Sequence, residues 1–152
     1  MGRIEVIRRT EFPEFQTIIK ELAGRIYPTN RAFQRPLTLS HIHNISATVI
    51  AYDNDNLVSG IAVLYDNPEL QYQGTSAKSF GHFEAKDQDT ASQILTAVIE
   101  QTKGEGFKYL VGPLNGSTWD DYRINADEGS FELIPDNWYW PWYNEAIEKA
   151  GF

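Results

Sequence analysis

Glu84 closes a short apolar run, Ser79-Phe-Gly-His-Phe-Glu84, just ahead of a helical pattern. A carboxylate at such a strand end can act as general base for an amine. His82 stands two residues back, which on a strand puts it on the same face, so either group can do proton work. The plainer reading of Glu84 is a helix-start carboxylate near the positive end of the following helix. A second cluster follows Phe107-Lys-Tyr-Leu-Val111. There a short apolar strand runs into a loop of Gly112, Pro113, Asn115, Gly116, Ser117 and Thr118. Strand-end loops of this composition are where α/β proteins place ligands, because the strand holds the backbone while Gly lets it approach closely. Asn115, Ser117 and Thr118 have no activating base beside them in sequence, so they are read as groups that orient a ligand or cap the turn. No Gly-x-Ser-x-Gly elbow and no phosphate-binding Gly-x-x-x-x-Gly-Lys-Ser/Thr loop is present.

Other chemistry is weaker. His41 and His43 stand two apart, which on a strand would put both on one face as a candidate metal pair, but no carboxylate or third histidine lies near them in sequence, and no metal site is expected. The chain has no cysteine, which excludes disulfides, thiolate nucleophiles and Cys-bound metals. Asp120 and Asp121 sit close to Arg123 and are read as a pair bracing their loop. The stretch Trp138-Tyr-Trp-Pro-Trp-Tyr143 is too dense in aromatics to be wholly buried, because its N–H and O–H groups need partners. It is expected to line a cleft, or to meet a second domain or a second copy of the chain.

The elements that must position these groups follow from periodicity. Ile4, Val6 and Ile7 read as a first strand, and Phe15, Ile18, Ile19, Leu22 and Ile26 as the apolar face of a helix from about Pro13 to Ile26. Tyr27 to Asn44, punctuated by Pro28 and Pro36, reads as an irregular arm. Ala47–Asp53 and Leu57–Tyr65 form a hairpin about Asp53-Asn-Asp-Asn56. A loop through Gly74 and Ser76 leads to the strand Ser79–Glu84. A helix capped by Asp87 or Asp89 then buries Ala91, Ile94, Leu95, Ala97, Val98 and Ile99, and stops at Gly104 or Gly106. Phe107–Val111 is the next strand, reached by a right-handed parallel crossover. Thr118–Asn137 is poorly periodic, with a short strand at Phe131–Ile134, and a last helix runs from Pro141 to about Lys149. Such an order makes an α/β (α+β) domain with a mixed sheet and helices on both faces.

Composition bounds the function. At 152 residues and 41% apolar content, residues 1–152 read as a single domain with a real core. A net charge of -8 argues against nucleic acid, whose phosphates require clustered Lys and Arg, and favours cationic or amine ligands by its long-range field. No segment approaches the roughly 18 apolar residues of a membrane span, and charged residues interrupt the N-terminus where a signal peptide would lie. The expected address is cytoplasmic.

The element order, read with Phe83-Glu84, Gly106-Phe107, Gly112-Pro-Leu-Asn115 and Glu148-Lys-Ala-Gly-Phe152, resembles the GNAT acyltransferase superfamily. More narrowly it is similar to a divergent branch with a Gly-Pro-x-Asn-x-Ser/Thr strand end. The resemblance implies a three-layer sandwich whose fourth and fifth strands splay apart. It implies transfer of an acyl group from acetyl-CoA or another acyl-CoA to a small amine. Glu84, His82 and Tyr143 are the implied catalytic candidates, and Phe83, Ala85, Lys86, Asn115 and Ser117 the implied contacts to the acyl-CoA. Three departures accompany it. Glu84-Ala-Lys-Asp-Gln-Asp-Thr-Ala-Ser92 should cradle the pyrophosphate, yet it holds no Gly or Arg and carries Glu84, Asp87 and Asp89, offset only by Lys86. Where many catalytic members have a proton-donating Tyr this chain has Ile147, with Tyr143 one turn earlier as the substitute. The chain also stops at Phe152, where a further strand is usual, so it is expected to lack the final strands or to belong to a longer protein. Two functions follow: an N-acyltransferase, or a domain that keeps the fold for binding after losing catalysis.

Overall fold

The computed structural model describes residues 2–8, 12–26, 42–113 and 142–152. Strand β1 (Arg3–Arg8) pairs antiparallel with β2 (Ile45–Tyr52), which follows a short 3-10 turn at Ile42–Asn44. β2 pairs antiparallel with β3 (Val58–Tyr65), and β3 with β5 (Thr75–Ala85). The β2–β3 turn has a local cause: Asp53 Oδ1 accepts the N–H groups of Asp55 and Leu57, each at 3.0 Å, and Asn56 takes the left-handed conformation at φ 59°. Where the sequence suggests a loop at Gly74 and Ser76, the chain makes a tight hairpin instead. Gln71–Tyr72 forms β4, Gln73 and Gly74 both have positive φ, and β5 begins at Thr75 rather than Ser79. Two successive left-handed residues suit the twist of a two-residue hairpin, a signal that Gln-Gly carries weakly.

Helix α1 (Phe12–Ile26) lies on one face of the sheet, where Ile19 and Leu22 meet Ile50, Ile61, Val63 and Tyr65. On the other face, Ala91, Ile94, Leu95 and Val98 of α2 (Gln88–Gly104) pack on Val49, Leu64, Phe80 and Phe83. Tyr143, Ala146 and Ile147 of α3 (Trp142–Lys149) join this second core. Each fully buried Leu or Ile contributes about 1.5–3 kcal/mol, so two separate apolar faces hold the three layers. β6 (Tyr109–Val111) returns parallel to β5, as the strand–helix–strand order requires. Lys78 of β5 is wholly buried, forms an ion pair with Glu105 at the end of α2, and lies 5.1 Å from the centre of the Phe107 ring. The readings at residues 27–41 and 118–137 lie outside the described residues.

Candidate functional site

The strands numbered four and five from the sequence are β5 and β6 once β4 is counted. They pair over only three positions, Ala77 with Tyr109, Lys78 with Leu110 and Ser79 with Val111. Ser79 also pairs with Tyr65, so β6 lies on the side of β5 away from β3. Beyond Ser79, β5 continues through Phe80 to Ala85 with no strand on that side among the described residues. Gly112 marks the divergence: a Cβ there would stand 2.4 Å from the Phe80 ring and 2.8 Å from its carbonyl oxygen. Only a residue without a side chain lets the chain leave β5 at that point.

The free part of β5 is bulged. Ile61 opposes Glu84 and Val63 opposes Gly81, so His82 and Phe83 together face Ala62. His82 takes up the extra residue with φ 46°, a conformation that costs a non-glycine residue about 1–3 kcal/mol. Bulges redirect side chains. Phe83 joins the α2–α3 core, while the His82 ring lies 6.2 Å from Tyr65 of the α1 core. Glu84 opposes Ile61 of that same α1 core, so His82 and Glu84 share a face despite the bulge.

Tyr143 completes the arrangement from α3. Its hydroxyl accepts the N–H of Ala85 at 2.9 Å. Its own proton has two acceptors in reach, Glu84 Oε2 and the Ala85 carbonyl, each at 3.0 Å. Lys86 N–H turns the other way, to Ser59 O at 2.9 Å, so the two Ala85 groups point to the open side. Tyr143 therefore occupies a strand-partner position at the end of the splay. Its ring is locked by Phe83 at 5.2 Å and Trp142 at 4.6 Å. Glu84 is 5% exposed and Tyr143 fully buried, which strengthens the hydrogen bond between them.

The other sequence candidates scatter. Phe83 and Ala85 lie in the core beside this pair. Lys86 Nζ reaches Asp53 Oδ2 at 3.7 Å, and Arg25 Nη2 reaches the same oxygen at 3.3 Å, so Lys86 ties β5 to the β2–β3 turn and α1. The N–H of Leu57, then that of Asp55, and the charges of Lys86 and Arg25 hold the Asp53 carboxyl below its usual range. Nothing in the spacing of Arg25, Asp53 and Lys86 signals this cluster. Asn115 and Ser117, with Trp138 and Trp140, lie outside the described residues. Gly81 did carry a hint of the bulge, since Gly inside a strand often marks one.

The start of α2 does not fit a pyrophosphate. Asp87 Oδ1 already accepts the N–H of Thr90 at 2.8 Å, and Asp89 adds a second carboxylate in the first turn. Glu145 of α3 adds a third, holding Gln88 Nε2 at 3.4 Å. A groove of about 440 Å³ runs beside this turn between Asp89, Ser92, Thr96, Ala146 and Lys149. Among the described residues no group of His, Asp and Glu is arranged for a metal. None of the helices there is long and apolar enough to cross a membrane.

No family model and no curated protein matches the chain. Solved structures do. An aminoglycoside acetyltransferase from an uncultured soil metagenomic sample matches with a TM-score of 0.50 at 7% identity, over 88% of this chain and 97% of that one. A Trypanosoma brucei acetyltransferase matches at 0.47 and 12% identity, over 88% and 100% of the two chains. A GNAT family N-acetyltransferase from Escherichia coli, solved in complex with CoA, matches at 0.46 and 16% identity, over 73% of this chain and 62% of that one. The present chain thus spans less than two thirds of the E. coli protein. At these identities the likeness is one of fold alone: the chain shares a fold with acetyltransferases of known structure.

Proposed function

We propose that the protein is an N-acyltransferase that moves an acyl group from a thioester donor to a small amine. The observation that carries this reading is the buried Tyr143 hydroxyl placed between Glu84 and the free edge of β5. In the reaction the amine nitrogen attacks the thioester carbonyl, the C–N bond forms and the C–S bond breaks. Glu84 takes the proton the amine loses, directly or through one water. The leaving thiolate takes the Tyr143 hydroxyl proton, and Glu84 returns its proton to the tyrosine oxygen across their 3.0 Å contact. One carboxylate and one phenol thereby move a single proton from amine to thiol, and each ends the cycle in the protonation state in which it began. In this reading His82, two residues before Glu84 on β5, orients the acceptor. The -8 net charge supports an amine acceptor, which approaches as a cation and releases one proton to solvent before the neutral nitrogen attacks.

The test is thiol release, followed with a disulfide dye, from acetyl thioesters in the presence of a panel of mono-, di- and polyamines. Amine-dependent release that Glu84→Gln abolishes supports the reading. Release no faster than the hydrolysis blank with every amine and thioester overturns it, and leaves the fold serving a binding role.

A further inference from the structure

We infer that the donor is recognised by its acyl-pantetheine arm alone, and that Asp87 and Asp89 keep the diphosphate of a nucleotide-borne donor away from the start of α2. This rests on the acyltransferase reading and names its donor class. The first N–H groups of a helix are the natural seat for a phosphate, provided they are unpaired and the backbone can approach. Here one of those groups is already taken and the approach is obstructed. The Thr90 N–H is taken by the Asp87 carboxylate at 2.8 Å. No glycine occurs from Ala85 to Ser92, so side chains stand between the backbone and any ligand.

The charges around this turn have the wrong sign. Asp87 and Asp89 lie on it, and Glu145 reaches it through Gln88. Lys149, the cation in the neighbouring groove, is ion-paired with Glu145 at 2.6 Å. Lys86 is drawn to Asp53, away from α2. A diphosphate would have to displace the Asp87 cap and then lie between carboxylates. The splayed edge of β5 makes no such demand, because a pantetheine arm is uncharged and offers amides to backbone groups. The two halves of a CoA thioester thus meet opposite environments on this chain.

Two measurements test this. First, kcat/KM is compared for acetyl-CoA and for S-acetyl-pantetheine, which carries the same arm without the nucleotide. Values within about threefold of each other are expected, given that each charge-assisted contact normally changes affinity by tenfold or more. A preference for acetyl-CoA of tenfold or greater overturns the inference. Second, ADP binding is measured by calorimetry on the wild type and on the double variant Asp87→Ser, Asp89→Asn, in which serine keeps the helix cap. At least tenfold tighter ADP binding by the variant is expected. Equal binding by the two proteins overturns the exclusion. If neither thioester is turned over but the variant gains ADP binding, the exclusion stands and the acyltransferase reading falls.

Discussion

The Tyr143 hydroxyl lies 3.0 Å from Glu84 Oε2, joining α3 to the end of β5 across 59 positions of sequence. The same oxygen accepts the Ala85 N–H, so one side chain both finishes the sheet edge and faces the candidate base. This double role separates two kinds of substitution, one that tests chemistry and one that tests structure.

Glu84→Gln keeps an acceptor for the Tyr143 hydroxyl but cannot take a proton. The expected result is a loss of about 10²–10⁴ in kcat, the usual contribution of a general base, with the circular dichroism spectrum unchanged. Activity within a few-fold of wild type would show that Glu84 is a structural carboxylate.

Tyr143→Phe removes the acceptor from the buried Ala85 N–H and leaves the ring packing against Phe83 intact. Stranding such a group costs about 1–3 kcal/mol, to be read as a lower urea midpoint with unchanged slope. Hydrogen exchange at Ala85 should accelerate in step. Unaltered exchange there would mean that the tyrosine does not serve as the strand partner.

Gly60→Ala tests the packing that holds β5 against α2. The added Cβ would stand 2.4 Å from Ile94 Cδ1, 2.8 Å from Thr90 Cγ2 and 2.9 Å from the Glu84 carbonyl oxygen. The isoleucine tip can turn aside, but the backbone oxygen cannot. A destabilisation of about 1–3 kcal/mol follows from overpacking, measured as a fall in melting temperature. Gly24→Ala, where the Cβ meets nothing within 4 Å, is the control and should not lower it.

Asp53 links stability to pH. Its folded pKa lies below the reference 3.8, chiefly through the Leu57 N–H. A depressed carboxylate stabilises the fold above its unfolded pKa, and this is lost as pH falls through the folded value. The contribution is therefore whole above about pH 4 and disappears on further acidification. Asp53→Asn should flatten that part of the acid-unfolding curve and change little of the slope near neutrality. An identical acid limb in the variant would remove Asp53 from the account.

Much of the scaffold was legible in the residues. The apolar stripe of α2, the β2–β3 turn at Asp53 and the parallel return of β6 each follow from spacing and turn chemistry over a few positions. The β4–β5 hairpin was missed because Gln73 is an uncommon choice for a left-handed turn position. Of the site, the spacing of His82 and Glu84 was legible, but not the bulge between Gly81 and Glu84 that interrupts the alternation and puts Phe80 and Phe83, three residues apart, in one core. Lys86 was read as a ligand contact, and its reach to a carboxylate in another hairpin was not legible from spacing.

What the sequence by itself determined is the kind of element at each place and the side it buries. Hydrophobic periodicity records burial, and burial is decided within a turn of helix or a pair of strand residues. Only the tertiary structure decided which oxygen meets Glu84, that β5 and β6 part after Ser79, and that the start of α2 is closed by its own aspartate. Hydrogen-bond partners depend on where separate edges come to lie in space. Tyr143 meets Ala85 because α3 crosses the unpaired end of β5, a crossing that no local pattern encodes.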